Sequence, residues 1–478
     1  MSPSVSIVIV TWNKREDILN LLDSLQSIAS SEIKIIIVDN ASTDGSVEAI
    51  RNHPLSVTLL ENSENRGGTG GFNAGIRYAM NNLDQKYIWL LDNDAEVMPN
   101  TLQKLIAVME ADASIGIAGS CILHPEDRTL IVEAGGHVDE RTATWKPNLR
   151  YQPYSNYKGT PPIDVDYVPV CSALIRKELF YVVGILDERF FLHWDDVDLG
   201  STAREKGFRV VAVIDSIVLH STEKGYSNAV LYYDVRNSLL FISKHLSLFQ
   251  RILPIFRVCV RNLMAARLFG ALGEKLLSWY LYQALDNFVS GRYGVAPQPS
   301  PRLKTTDNPQ KYSSARLPNG RNFVLFAVGS HAEIRSAAYL IRSAVPATSI
   351  TLAAPSDRID SYRSCDAIDH FISYDLARDG LSGCVTVVLK LLRLRFDCAV
   401  SAGTGFIVPF AFFVRRHIVV AEEGRWIHES NICLNSLWKL PCVVLSGLAL
   451  SLPYLLKCWL ASRRISEQSP GSNGLRKI

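Results

Sequence analysis

Three clusters of side chains in this chain have the types and spacing to do chemistry. The first is Asp92-Asn93-Asp94, where the apolar run Tyr87-Ile88-Trp89-Leu90-Leu91 stops abruptly. Carboxylates at i and i+2 of an extended backbone face the same way, so both can approach one divalent ion from one side. Two such charges at the end of a buried strand are costly unless a cation or a bound substrate compensates them. Asp and Asn are also ordinary turn residues, so the pattern alone leaves a metal site and a polar strand end both open. The second cluster is Asp195, Asp196 and Asp198, reached through Phe190-Phe191-Leu192-His193-Trp194. Acids at a helix start suit its dipole. Capping does not explain the aromatic approach, which would place the acids in a lined cleft. The third is Asn65-Arg66-Gly67-Gly68-Thr69-Gly70-Gly71-Phe72, with four glycines in five residues. Read as a turn before a helix, it lets the backbone approach a bulky ligand and offers amides and the Arg66 cation to phosphate oxygens.

These clusters need elements to position them. Val5 to Val10 and Ile33 to Val38 are β-branched strands, closed by Thr11-Trp12-Asn13 and by Asp39-Asn40-Ala41-Ser42. Between them, Ile18, Leu21, Leu22, Leu25 and Ile28 carry the spacing of an amphipathic helix over Arg15 to Ile28. A short strand over Val57 to Glu61 leads to the glycine run and a helix over Phe72 to Asn81. Repeated strand–helix–strand units predict an α/β fold with a mainly parallel sheet flanked by helices. Ligands bind beyond the carboxyl ends of the strands in such sheets, where Thr11, Asp39, the glycine run and Asp92 all fall. The first strand–helix turn, Thr11-Trp12-Asn13-Lys14-Arg15, lacks the glycine fingerprint of a dinucleotide oxidoreductase.

The set SIVIVTWNKRED, IIIVDNASTDGS, ENRGGTGGFNAG and LLDNDAE resembles the inverting family 2 nucleotide-sugar glycosyltransferases of the GT-A fold. The resemblance covers Ser4 to Leu246, and GGTGGF is similar to the galactofuranosyltransferase branch, with rhamnosyltransferases as close relatives. It implies that Asp39, Thr11 and Arg15 hold the uracil base, with Arg66, Gly67, Asp92 and Asn93 also at the nucleotide-sugar. It implies Asp92 and Asp94 as metal ligands, joined by His220 after the apolar stretch Ile217-Val218-Leu219. The WDD motif would make Asp196 the base that deprotonates the acceptor hydroxyl. Asp195 and Trp194 would bind the acceptor. Two carboxylates and an imidazole suit Mn²⁺ better than Ca²⁺, with Mg²⁺ open. The expected reaction is direct displacement of a nucleoside diphosphate, from UDP-galactofuranose first and dTDP-rhamnose second. A nucleotidyltransferase, sharing the sheet and acidic site, and a non-catalytic scaffold are the alternatives.

With 47% hydrophobic and 20% charged residues the chain is core-forming, and a net charge of +3 argues against a nucleic-acid binder. Nine cysteines without a C-x-x-C pair fit reduced thiols rather than a zinc cluster. The expected organisation is a catalytic domain (1–230), a helical segment (231–296), a Pro- and Ser-rich linker (297–320), a second, smaller α/β domain (321–465) and a polar tail (466–478). That last domain weakly resembles half of a two-lobed GT-B enzyme. Arg251, Arg257, Arg261 and Arg267 among apolar residues, and the leucine-rich stretch Val443 to Leu460, suggest either a membrane-facing surface or plain packing. Arg236 is a candidate near phosphate or acceptor, and His137, Trp145 and Tyr167 are candidate acceptor contacts. The expected setting is cytoplasmic, peripheral on the inner face of the cell membrane, in synthesis of a surface polysaccharide such as O-antigen. The expected partners are a lipid-linked glycan acceptor and another glycosyltransferase docked through the C-terminal domain.

Overall fold

The computed structural model describes residues 4–28, 30–125, 127–220, 228–272, 275–300, 322–327, 331–356, 358–374, 396–402, 417–420, 426–430 and 439–468. Residues 301–320 of the linker, the polar tail beyond 468 and residues 328–330 and 403–416 of the last domain lie outside them.

The first layer alternates as the apolar spacing predicts. β1 (Val5–Thr11), α1 (Arg15–Leu25), β2 (Ile33–Asp39), α2 (Ser46–Arg51), β3 (Thr58–Glu61), α3 (Gly67–Asn82) and β4 (Tyr87–Asp92) follow in order. The short β5 (Glu96–Val97), α4 (Thr101–Ala111), β6 (Ile115–Leu123) and β7 (Ile131–Glu133) come next. A hairpin of β8 (Gly136–Asp139) and β9 (Thr144–Pro147) precedes β10 (Ile163–Asp164), β11 (Ser172–Arg176), α5 (Lys177–Val183), α6 (Asp195–Glu205) and β12 (Arg209–Leu219). The sheet runs β10-β12-β6-β11-β4-β1-β2-β3. Strands β1 to β4 are mutually parallel, whereas β11 runs antiparallel to both β4 and β6. Register aligns Thr11 with Asp39 and Val10 with Asp92, so these strands end on one line.

The glycine run departs from expectation. It is not a turn before a helix but the opening of α3 itself, with only Gly67 in the left-handed region, at φ +70°. A Cβ on Gly71 would sit 2.5 Å from Val10 Cγ1 and one on Gly75 2.2 Å from Val8 Cγ1. The later glycines therefore let α3 lie directly on β1, a packing requirement that composition cannot distinguish from a loop.

Three helices follow: α7 (Asn228–His245), α8 (Ile252–Leu272) and α9 (Lys275–Val289). Their apolar faces form one core with Tyr167, Phe190, Trp194 and Val197, so they continue the interior of the first layer. The second sheet comprises β13 (Asn322–Phe326), β14 (Ser349–Pro355), β15 (His370–Tyr374), β16 (Cys398–Ala402), β17 (His417–Val420) and β18 (Trp426–Ser430), with α10 (His331–Ala344) between β13 and β14. It is parallel except at β18. The final helix α11 (Lys439–Gln468) places Cys458, Ala461 and Ile465 in the core of α7, α8 and α9. The stretch expected to face a membrane or to pack on the last domain therefore has one face against the helical segment.

Candidate functional site

The carboxyl ends of β1, β2, β4 and β12 gather the predicted groups. Asp92 closes β4, Asp94 follows in the turn where the Ala95 amide donates to the Asp92 carbonyl, and His220 lies just past β12. His220 Nε2 is 2.9 Å from Asp94 Oδ1 and 3.9 Å from Asp92 Oδ2. One ligand atom from each of the three residues falls within 4.8 Å of the others. Burial pushes the Asp92 carboxyl up to about 6; Asp94 and Asp195 add to the rise and His220 opposes it. Like-charged oxygens held this close call for a cation, and two oxygens with one imidazole nitrogen fit Mn²⁺ or Mg²⁺. The donor set fits a divalent ion.

The adjacent strand ends make a polar lip. The Asn13 amide donates to Ser42 Oγ at 2.9 Å, the Thr43 amide to Asn13 Oδ1 at 2.7 Å, and the Arg15 amide to Asp44 Oδ2 at 3.0 Å. The loops after β1 and β2 are thereby joined. Asp39 is 2% exposed; its Oδ2 accepts from the Ser42 amide, while its buried Oδ1 has no hydrogen-bond partner. An orphaned buried acceptor is rare and suits the N–H of a bound base. Thr11 Oγ1 accepts from Asn93 Nδ2 at 3.0 Å, which ties this lip to the Asp92–Asp94 turn. Arg15 contributes its backbone here, with its side chain exposed. Arg66 donates Nη2 to Glu188 at 2.9 Å, a carboxylate 122 positions away that it shares with Arg77, a pairing that spacing could not reveal. Gly67 is fixed by a bond from its amide to Asn65 Oδ1 and from Asn40 Nδ2 to its carbonyl.

Opposite the lip, α6 presents Asp195 and Asp196 from its first turn. Asp195 Oδ2 accepts from Thr69 Oγ1 at 2.8 Å, which gives the one hydroxyl of the glycine run a specific task. Asp196 Oδ1 turns back on the Val197 amide at 2.8 Å. Burial, then the Asp195 carboxylate, holds the Asp196 carboxyl well above the usual range, with Glu133 and Asp92 contributing. A basic carboxylate facing a metal-type acidic turn can accept a proton from an alcohol brought between them.

The segment leading into α6 is unusual. Phe191, His193 and Trp194 all have positive φ, at +65°, +63° and +71°. L-residues pay for this conformation, so something must impose it. Arg236 and Asn237 of α7, both fully buried, do so. Arg236 Nη2 donates to the carbonyls of Arg189 and Phe190, and Asn237 Nδ2 to those of Phe190, Leu192 and His193. Arg236 is therefore a scaffold for the acidic motif, not a phosphate or acceptor contact. Further along, Lys244 Nζ donates to Asp187 and Asp198, and His245 bonds Asp198 and Glu205. Despite burial, these carboxylates push the His245 imidazole up to about 9.

Trp194 points away from open solvent. It is 3% exposed, packs on Phe241 with ring centroids 5.3 Å apart, and its indole N–H is buried without a partner. With Trp145, Asp234, Arg261 and Asn262 it lines a cavity of about 340 Å³ between the β8–β9 hairpin and the helices. Sequence reading passed over Glu133, at the end of β7: it is buried, accepts from Tyr167 Oη at 2.9 Å, and is pushed up to about 7 by burial. A single glutamate in Ile131-Val132-Glu133-Ala134 carries no spacing signal; only the fold brings it near His220 and Asp196. Tyr167 is the partner of Glu133, while His137 lies beside Asp166 on the hairpin.

Residues 6–184 match the family described as Glycosyl transferase family 2. Among curated relatives, the galactofuranosyltransferase GlfT2 of Mycolicibacterium smegmatis is 23% identical over 51% of this chain and 41% of its own. An N-acetylglucosaminyl-diphospho-decaprenol L-rhamnosyltransferase of Mycobacterium tuberculosis is 24% identical over 46% of this chain and 76% of its own. The chain thus spans less than half the length of the first of these relatives. A mannosyltransferase from Pyrobaculum calidifontis, solved with GDP-Man and Mn²⁺, superposes with a TM-score of 0.38 at 19% identity, over 64% of this chain and 78% of that one. Residues 6–184 of this chain thus carry a Glycosyl transferase family 2 domain.

Proposed function

We propose that the chain transfers a hexosyl unit, with inversion, from a nucleoside diphosphate sugar to a hydroxyl of a growing surface glycan. The observation that carries this reading is the opposition of two groups: Asp92, Asp94 and His220 within 4.8 Å of one another, and the raised carboxyl of Asp196 in electrostatic reach of Asp92. In this reading the unpartnered Asp39 Oδ1 accepts from the base of the nucleotide. Asp92 lies near the ribose, and Asn93, oriented by Thr11, also meets the nucleotide-sugar. A divalent ion held by Asp92, Asp94 and His220 would offset the charge of the departing diphosphate. Asp196 removes the proton of the acceptor hydroxyl as that oxygen bonds to the anomeric carbon. The bond from that carbon to the phosphate oxygen breaks, and its electron pair leaves with the diphosphate. Asp195, held by Thr69, hydrogen-bonds the acceptor.

UDP-galactofuranose is the preferred donor and dTDP-rhamnose the second, supported by relatives named for both sugars. Trp194 serves the acceptor from the cavity it shares with Trp145, where its N–H and Asp234 suit a hydroxylated ring rather than a lipid chain. We take the acceptor to be lipid-linked, presented at the inner face of the cell membrane. Asp196→Asn tests the assignment: transfer should fall at least ~10²-fold, while thermal stabilisation by UDP with Mn²⁺ persists. Unchanged turnover removes Asp196 from the mechanism. Release of diphosphate from a nucleoside triphosphate would identify a nucleotidyltransferase instead.

A further inference from the structure

Two stretches of the chain carry cations and no acids at all. Residues 246–273 hold Arg251, Arg257, Arg261 and Arg267, and residues 430–466 hold Lys439, Lys457, Arg463 and Arg464, without one Asp or Glu. The fold brings these stretches together in α8 and in α11, whose last turn adds Glu467. Arg251 Nη1 donates to the Ser462 carbonyl at 2.8 Å, Cys259 Sγ lies 3.8 Å from Cys458 Sγ, and Trp459 Nε1 reaches the Leu248 carbonyl. Arg251 is thereby consumed inside the helix pair and Arg261 lines the cavity beside Asp234, whereas Arg257 is exposed and donates Nη1 to the Arg141 carbonyl at 2.9 Å.

The inner face of this pair is ordinary core: Ile255, Val258, Cys259, Leu263, Cys458, Ala461 and Ile465. The outer face is also apolar. Phe249 is 83% exposed, Leu253 50%, Leu452 66% and Leu456 58%, and Ile252, Phe256 and Leu460 are exposed with them. Positions 252, 253 and 256, and positions 452, 456 and 460, recur at helical spacing, so each set forms a stripe along its own helix, with Phe249 in the turn just before α8. Scattered surface leucines need no explanation, but a band of large apolar groups across two packed helices marks an interaction surface. Arg257, Lys457, Arg463 and Arg464 are exposed on the same helix pair.

We propose that this face of α8 and α11 docks on an anionic bilayer, lying in the interface with its apolar side chains among the acyl chains and its cations at the headgroups. Amphipathic helices with apolar stripes and a mainly cationic polar complement bind this way. No helix among the described residues is long and apolar enough to cross a membrane, which fits attachment from one side. A second copy of the chain is disfavoured as the occupant, because an isologous contact would set this cationic surface against itself. The proposal gives the lipid-linked acceptor of the preceding reading a surface on which to be met, but it does not depend on transfer taking place.

The test is sedimentation of the full chain with phosphatidylcholine vesicles, with and without about one-third phosphatidylglycerol. Binding should require the anionic lipid and weaken as salt rises. Leu253→Ser/Leu456→Ser/Leu460→Ser should reduce partitioning at least ~10-fold with an unchanged melting temperature, since these side chains are exposed. Lys457→Gln/Arg463→Gln/Arg464→Gln should lose about fivefold per cation. Equal partitioning of wild type and both variants, or no binding to anionic vesicles, overturns the proposal. A concentration-dependent dimer in analytical ultracentrifugation that the serine variant abolishes also overturns it, and assigns the face to a second copy. The same variants, assayed with a water-soluble acceptor, should match wild type. Wild type inactive with every donor would sink the transferase reading and leave the vesicle result standing.

Discussion

Replacing Asn237 with alanine should cripple transfer without touching any group that meets the substrates. Three non-glycine residues in the left-handed region place roughly 3–6 kcal/mol of conformational cost in the segment before α6, at ~1–2 kcal/mol each. Asn237 Nδ2 offsets part of it through bonds of 3.0, 2.8 and 2.9 Å to the carbonyls of Phe190, Leu192 and His193. Two amide hydrogens shared among three acceptors amount to about two full bonds, ~1 kcal/mol each, and buried carbonyls left alone add ~1–3 kcal/mol. The expected loss is therefore about 3 kcal/mol, or a melting temperature lower by ~6–12 °C. Released from Asn237, the segment relaxes toward negative φ and α6 shifts, carrying Asp195 off Thr69 and Asp196 off the acceptor. A displacement near 1 Å costs about 10²-fold in turnover. UDP binding should be spared, because Asp39 and Thr11 sit on β2 and β1, outside that segment. Steady-state kinetics with a UDP titration read both quantities. Turnover within twofold of wild type at an unchanged melting temperature would refute the view that α7 holds the acidic motif in place.

Gly75→Ala should destabilise by ~1–3 kcal/mol through contact with Val8, and Val8→Ala in the same chain should restore part of it; both are read by urea denaturation. His220→Ala should raise the Mn²⁺ concentration needed for half-maximal thermal stabilisation by roughly tenfold or more, with little change in the melting temperature of the metal-free protein. His245 gives a pH dependence of fixed sign. Its folded pKa is raised from 6.5 to about 9, so its contribution is fully present below pH 6.5 and is lost as pH rises through about 9. Wild type should therefore lose stability over that window relative to His245→Gln, by about 3 kcal/mol at most. A parallel pair of stability curves would show that the imidazole is not charged in the native state.

The elements of the first sheet were legible because their signals are local. Five apolar residues before Asp92, or Ile18, Leu21, Leu22 and Leu25 on one helical face, need no partner to be read. The glycine run misleads for the same reason. Gly70, Gly71 and Gly75 look like a loop until β1 is known to lie against them, and only then does the missing Cβ become a packing device. Arg66 and Glu188, or Arg236 and the carbonyls of Arg189 and Phe190, are far apart in the chain, and nothing at either position announces the other. Asp92, Asp94, His220 and Asp196 could be picked out because family motifs name them. Glu133, as deeply buried and as close to Asp196 electrostatically, has no motif around it. Sequence thus marks the groups at which chemistry can occur, while the groups that hold them in place emerge only from the folded contacts.

One helix connects those supporting contacts to the proposed bilayer face. Arg236 and Asn237 fix the segment before α6, and Lys244 and His245 fix Asp198 within it, all from α7. The same helix shares its buried face with α8, α9 and α11. Attachment through α8 and α11 would thus be relayed through a packed core, not a flexible tether, to Asp196, the carboxylate proposed to receive the acceptor proton. A close-packed interior transmits orientation because it cannot deform continuously. Serine variants of the outer face should therefore slow transfer to an acceptor embedded in anionic vesicles, while transfer to its water-soluble analogue keeps its rate. Equal slowing with both acceptors would mean that the outer stripe supports the fold of the catalytic domain, and the relay would be wrong.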